Sequence, residues 1–278
     1  MNLKNILTEI EKVDPEVYEK LDTRRNSMKQ FAFAGKVIAA AAVPFAFGSM
    51  FKKAYGQTNA TIVSVLNFAL TLEFLEAEFY KKAVATPALI PAADLPAFTT
   101  IRDHENAHVA FLRTAIQNLG GTPVSFTFDS FDYTGGNGSM TGPFATVFIS
   151  YDTLLGVSQA FEDTGVRAYK GQATNLMSNN EVLTAALQIH SVEARHAAHI
   201  RKIRRERGAN QKPWITLNDS GGIPGVAAVY AGEENTVQAG IQITGINGLP
   251  ISAATASESF DEPLTRAQVE AIVDPFIK

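Results

Sequence analysis

Two Glu-x-x-His motifs, Glu105-Asn106-Ala107-His108 and Glu193-Ala194-Arg195-His196, stand 88 residues apart in a chain of 278. Each follows a Glu-x6-Tyr, Glu73 to Tyr80 in one case and Glu162 to Tyr169 in the other. The interval from Glu73 to Glu105 is 32 residues and that from Glu162 to Glu193 is 31, so the chain reads as two copies of one helix pair. Residues three apart share a helix face, so each Glu-x-x-His aims a carboxylate and an imidazole at one point. Two such helices, with one glutamate from each of two others, carry the donor set of a carboxylate-bridged two-metal centre in a four-helix bundle. Composition alone does not supply this. With 17 Glu and 5 His in the chain, random placement gives about 0.3 such pairs, and two are present.

The internal alignment selects the metal ligands as Glu73, Glu105, His108, Glu162, Glu193 and His196. An offset of 89 places Glu73 on Glu162, Tyr80 on Tyr169 and Lys81 on Lys170. It sets Glu76 against Gly165 and Glu78 against Arg167, so only Glu73 has a carboxylate counterpart. An offset of 88 pairs Glu105 with Glu193, His108 with His196 and Arg113 with Arg201. Tyr80 and Tyr169, two turns from their glutamates, are candidate catalytic groups, as hydrogen-bond donors to ligand carboxylates or as one-electron relays. Packing alone accounts for their positions equally well. His104, His190 and His199 are expected to support the ligands from outside or to lie on the surface.

Apolar residues at helical spacing predict a first helix over 58–85, stopped by Pro87 and Pro91, and a second over 94–119, ended by Gly120-Gly121. Residues 122–142 lack such a pattern, and a loop of that length in a compact domain needs a reason. A long crossover running the length of the bundle is that reason, since it lets both helix pairs point inward. A third helix is expected over 143–176, with Pro143 in its first turn, and a fourth from the capping box Ser178-Asn179-Asn180-Glu181 to just before Gly208. The Lys and Arg residues of its last turns suit a helix C-terminus. From residue 209 the composition turns to Gly, Pro and Ser, predicting a mostly irregular extension packed on the bundle. It contains one short helix after the capping box Thr265 to Gln268, and weak strand propensity at 225–230 and 238–243 admits a small hairpin.

The division is therefore 1–57, 58–208 and 209–278. The first segment sets Thr23-Arg24-Arg25-Asn26-Ser27-Met28-Lys29 before a weakly apolar run from Phe31 to Phe51, followed by small and polar residues. This resembles a twin-arginine export signal, although Ser27 and Met28 stand where that pattern prefers Phe and Leu. Lys36 and Pro44 interrupt the run against a stable membrane span. The resemblance implies the twin-arginine export machinery as a partner and a periplasmic or otherwise exported location. That route carries folded proteins, so a site with little intrinsic selectivity could be loaded with metal before export. Net charge is −4 overall and −7 without residues 1–57, which leaves no basic footprint for nucleic acid. The chain contains no cysteine, which excludes disulfides and thiolate metal sites.

The run Leu66-Asn67-Phe68-Ala69-Leu70-Thr71-Leu72-Glu73-Phe74-Leu75-Glu76-Ala77-Glu78-Phe79-Tyr80 and the later Phe260-Asp261-Glu262-Pro263-Leu264 resemble a bacterial ferritin-like domain family that includes the plant desiccation-related proteins. The resemblance runs from about Thr61 to the C-terminus. It implies an all-α, ferritin-like four-helix bundle, with the long crossover between helices 2 and 3, and a two-metal site at the positions above. It implies little about the reaction.

Three functions follow as expectations. The first is di-iron redox chemistry, ferroxidase-like, in which two iron ions act with dioxygen or hydrogen peroxide. The second loads two manganese ions and disproportionates peroxide as manganese catalases do. The third is a non-catalytic stress or desiccation-related protein in which metal staples the bundle. The donors serve either metal, so the sequence does not separate the first two. A mineral-storing shell sits awkwardly with the long extension, and any homo-oligomer would be symmetric.

Overall fold

In the computed structural model, which describes residues 58–278, the first apolar run forms α1 (Asn59–Ala85). The export signal expected over residues 1–57 lies outside the described residues. Thr58 caps α1 by accepting from Thr61 N. By length and composition α1 could cross a membrane, but 61% of its most apolar window is buried within the protein, as in the core helix of a bundle. It packs chiefly on α2 (Leu95–Asn118), just as α3 (Tyr151–Gln172) packs on α4 (Asn180–Glu206). Contacts of α1 with α3 and of α2 with α4 close the four-helix bundle. The α2 terminus is glycine-capped as expected: Gly120 adopts φ +78°, its N–H reaches Gln117 O, and Gly121 N reaches Ile116 O.

Two helix starts differ from the sequence expectation. The third helix begins at the N-cap Ser150, whose side chain accepts from Thr153 N, and not at Pro143. Residues 143–149 form turns bonded three residues back, with Phe144 and Val147 plugged into the core. Their spacing imitates a helix, but a Cβ on Gly142 would lie 2.2 Å from Thr134 O, so this backbone is held against the preceding loop. Past Gln172 the third helix tightens into a 3-10 turn over Ala173–Leu176. The fourth helix is capped by Asn179, which accepts from Val182 N at 3.1 Å, so no capping box forms from Ser178. Asn and Ser cap about equally well, and the neighbouring turn selects Asn179.

The crossover between α2 and α3 travels along α1. Asn67 Nδ2 donates to Thr122 O and its Oδ1 accepts from Val124 N, whereas Tyr133 OH reaches Leu75 O at 2.9 Å. Phe74 meets Phe126, and Phe79 meets Tyr133 and Phe148. The loop is organised on buried Asp132, whose carboxylate accepts from Thr134, Gly138 N and Met140 N. Because the crossover returns the chain to the start of α2, where Tyr151 OH meets Asp94, α3 runs antiparallel to α1.

The extension contains α5 (Ala227–Tyr230), a hairpin of β1 (Val237–Gln238) with β2 (Ile241–Gln242), α6 (Ala253–Ser257) and α7 (Arg266–Val273). The weak strand signal at 225–230 is thus helical, and the hairpin forms wholly within 237–242. Thr265 and Gln268 form the expected capping box. Arg167, almost fully buried, anchors the extension on α3. Its guanidinium donates to Val229 O, to Ala231 O at 2.8 Å and to Glu262 O at 2.8 Å, and it pairs with buried Glu233 at 2.8 Å. Arg201 makes a second anchor, donating from Nε and Nη2 to Asp163, which also accepts from Tyr230 OH at 2.8 Å.

Candidate metal centre

Four helices bring the six residues singled out by spacing to one buried place. Glu73, Glu105, Glu162 and Glu193 have no exposed surface, and His108 and His196 are buried beside them. Glu73 comes from α1, the Glu105 and His108 pair from α2, Glu162 from α3, and the Glu193 and His196 pair from α4. Two overlapping donor sets result: Glu73, Glu105, His108 and Glu193 in one, and Glu105, Glu162, Glu193 and His196 in the other. Within each set the donor atoms all lie within 4.8 Å of one another. Glu105 and Glu193 belong to both sets, so the shared carboxylates are those of the Glu-x-x-His motifs, and Glu73 and Glu162 each belong to one set.

The oxygens divide accordingly. His108 Nδ1 has Glu73 Oε2 and Glu105 Oε2 at 3.1 Å and Glu193 Oε1 at 3.2 Å. His196 Nδ1 has Glu105 Oε1 at 2.9 Å, Glu162 Oε2 at 3.2 Å and Glu193 Oε2 at 3.9 Å. Glu105 and Glu193 each turn one oxygen to one imidazole and the other oxygen to its partner.

The tyrosines cross between halves. Tyr80 OH donates to Glu162 Oε1 at 2.5 Å, and Tyr169 OH donates to Glu73 Oε1. The same Glu-x6-Tyr spacing lies on two antiparallel helices, so each phenol meets the glutamate of the other copy instead of its own. Burial, and next the charge of the glutamate it faces, holds each phenol well above its ordinary pKa, so both stay donors.

Burial, the largest influence, pushes Glu73 up to about 7 and, with the Glu73 charge, Glu193 up to about 8; it also raises Glu162. Burial works against charge on both imidazoles. Yet the contacts with Glu105, Glu193 and Glu73 hold His108 far above its usual value, and the Glu162 charge with its neighbours pushes His196 up to about 11. Glu73, Glu162 and Glu193 thus hold their protons more tightly than free carboxyls, as buried carboxylates crowded together do.

The donors fit a pair of cations. Glu105 Oε1, Glu193 Oε1 and Glu193 Oε2 are buried and accept no hydrogen bond. Two of them come within 3.2 Å of an imidazole nitrogen, but one N–H cannot point at three oxygens together. Unpaired buried oxygens are costly, and four carboxylates with two neutral imidazoles balance two divalent ions in charge. The set of oxygen and imidazole donors suits iron or manganese.

The sequence argument passes over Glu76. It is 3% exposed, and burial, followed by the charge of Glu193, raises its pKa well above the ordinary range. Its counterpart Gly165 leaves the room it occupies, since a Cβ there would meet Glu193 Oε2 at 3.4 Å and Glu76 Oε1 at 3.5 Å. A buried glutamate opposite a glycine in the internal alignment was the available signal. The remaining histidines divide as follows. His104 Nδ1 lies 2.9 Å from His196 Nε2, His190 Nδ1 meets Val166 O at 3.0 Å, and His199 is exposed.

No curated protein is detectably similar to the chain. The family profile described as ferritin-like domain matches residues 61–206, over half of the chain and all four bundle helices but a few terminal residues. With this match, the helical bundle and the buried carboxylate and histidine cluster, the chain belongs to the ferritin-like domain family.

Proposed function

We propose that the protein is an exported two-metal oxidoreductase of ferroxidase type, holding two iron ions and oxidising Fe(II) or another small reductant with dioxygen or hydrogen peroxide. The observation that carries this reading is the sharing of Glu105 and Glu193 between two imidazoles, with three of their four oxygens unpaired. A bound iron pair supplies reversible one-electron chemistry at a site closed to bulk water. Glu73, Glu105, His108 and Glu193 would hold one ion, and Glu105, Glu162, Glu193 and His196 the other.

Tyr80 and Tyr169 hold two of these carboxylates in place and draw charge from them through their hydrogen bonds. As phenols hydrogen-bonded to Glu162 and Glu73, they are also oxidisable side chains in direct contact with the cluster. That favours one-electron chemistry over manganese-type peroxide disproportionation. Kinship with desiccation-related proteins is part of the same proposal. Export rests on the pattern around Arg24-Arg25, and the twin-arginine route would let the folded cage acquire its metal before leaving the cytosol.

Elemental analysis of protein purified from its native compartment tests the metal directly, with about two iron ions per chain expected for this donor set. Glu105→Ala or His196→Ala removes paired binding while far-ultraviolet circular dichroism stays helical. Two tightly held ions in the double variant would refute the site. Oxygen release from peroxide without a reductant would move the assignment to disproportionation, and metal-free native protein would move it to a structural role.

A further inference from the structure

We propose that His104 is a positioning residue that sets the tautomer of His196 and thereby makes the two halves of the centre unequal in metal affinity. The inference rests on the reading of the cluster as a two-metal centre. His104 immediately precedes Glu105 in α2 and is exposed. Its Nδ1 lies 2.9 Å from His196 Nε2, with ring centroids 5.2 Å apart and planes 16° from parallel. That centroid separation is the nitrogen separation extended by the two ring radii. The rings therefore lie end to end in nearly one plane, not face to face, and a proton between them sits along both lone-pair directions.

The direction of that hydrogen bond follows from the other side of His196. Its Nδ1 faces Glu105 Oε1 and Glu162 Oε2 inside the cluster. A ring that gives its Nδ1 lone pair to a cation carries its proton on Nε2. His104 Nδ1 must then be the acceptor, and His104 carries its own proton on Nε2, away from His196. The pair forms one oriented chain from the cluster towards solvent. Outer partners of this kind orient a ligating ring and raise its basicity, and losing one typically costs 10- to 100-fold in metal affinity.

The other half has no such partner. The alignment that pairs Glu105 with Glu193 sets Val192 where His104 stands. Among the described residues His108 Nε2 has no hydrogen-bond partner, its contacts running through Nδ1. The half built on His196 and Glu162 is therefore the tighter one and fills first.

The test is a calorimetric titration of metal-free full-length protein with zinc, joined to nitrogen-15 NMR of the zinc-loaded, diamagnetic protein. Wild type takes up two ions in two resolved steps, and His196 shows its proton on Nε2. His104→Ala lowers the affinity of the tighter step by about 10- to 100-fold and leaves the weaker step and the helicity unchanged. His104→Gln, whose amide oxygen accepts the same proton, restores most of the loss, which a merely structural role would not. Unchanged affinities in His104→Ala, no rescue by His104→Gln, or a His196 proton on Nδ1 in the loaded protein overturns the inference alone. A wild-type protein that binds no pair of ions overturns the two-metal reading and this inference with it.

Discussion

Stripped of metal, this protein should become less stable as pH rises from 5 to 8, the reverse of ordinary acid unfolding. Burial raises Glu73 to about 7 and Glu193 to about 8, and His196 stands at about 11 beside the Glu162 charge although burial opposes it. Each of these groups binds its proton more tightly folded than unfolded. The stability a raised carboxyl contributes is complete below its unfolded pKa, near 4.5, and is lost as pH climbs through its folded value. The histidine contribution, complete below 6.5, disappears only towards pH 11. These three signs agree across the window, and only His104, held below 6.5 by burial and the His196 charge, acts in the opposite sense beside them.

One proton held by the folded chain and released by the unfolded chain changes stability by about 1.4 kcal/mol per pH unit. Between pH 5 and 7 that amounts to about 2 kcal/mol for a carboxyl raised to about 7, because it has lost half its proton at the upper end, and this is a large part of a typical folding free energy. The assay is urea unfolding of chelator-treated protein at unit steps from pH 5 to 8, beside the variant Glu73→Gln with Glu193→Gln. The variant should flatten the slope, because the amides have no proton to lose. Metal should reverse the trend in wild type, since ligands must be deprotonated to bind and binding to the folded state adds stability. Stability of the stripped protein that rises from pH 5 to 8, or a slope unchanged in the variant, would refute the reasoning.

Two further predictions concern how the extension is held. Arg167→Met strands Glu233, 2% exposed, without its partner and should cost about 3–5 kcal/mol in urea unfolding; adding Glu233→Gln should recover much of this, and a double variant as weak as the single would contradict a charge-based anchor. Gly171→Ala should cost about 1–3 kcal/mol, because the new Cβ would lie 1.9 Å from Leu264 O; limited proteolysis should then cut beyond residue 209 first, and wild-type resistance would show that the docking tolerates the methyl group.

The buried glutamate and histidine cluster was legible because donor groups that must converge write themselves into spacing. A carboxylate and an imidazole three residues apart on a helix leave a local signature, and its repetition exposed the second half. The helices were legible from apolar periodicity, but where α3 and α4 begin was not. Phe144 and Val147 carry helical spacing while serving as core plugs of a turn, and Asn179 competes with Ser178 as a cap of equal quality. The cross-bonding of Tyr80 with Glu162 and Tyr169 with Glu73 depends on the antiparallel register of two helices 82 to 96 residues apart in sequence. No local window contains it. The same holds for Arg167 with Glu233 and for Asp163 with Arg201 and Tyr230, which join the bundle to a segment without periodic pattern.

The departures from internal symmetry are as informative as the repeat. Identical Glu-x6-Tyr spacings on antiparallel helices make a cage with near two-fold equivalence, which alone would give two equal metal positions. Two substitutions and one change of environment break it: Glu76 faces Gly165, His104 has Val192 as its counterpart, and Arg113 is exposed where its counterpart Arg201 is buried. The coverings differ too. The crossover lies along α1 through Asn67 and Tyr133, whereas the buried arginine anchors of the extension, Arg167 and Arg201, both belong to the second helix pair. Asp163 adjoins the ligand Glu162 and is fixed by Arg201 and Tyr230. Strain or release in the extension therefore reaches the neighbour of Glu162 through Tyr230, whereas the helix of Glu73 meets the extension through Arg266, at Ser64 and Phe68.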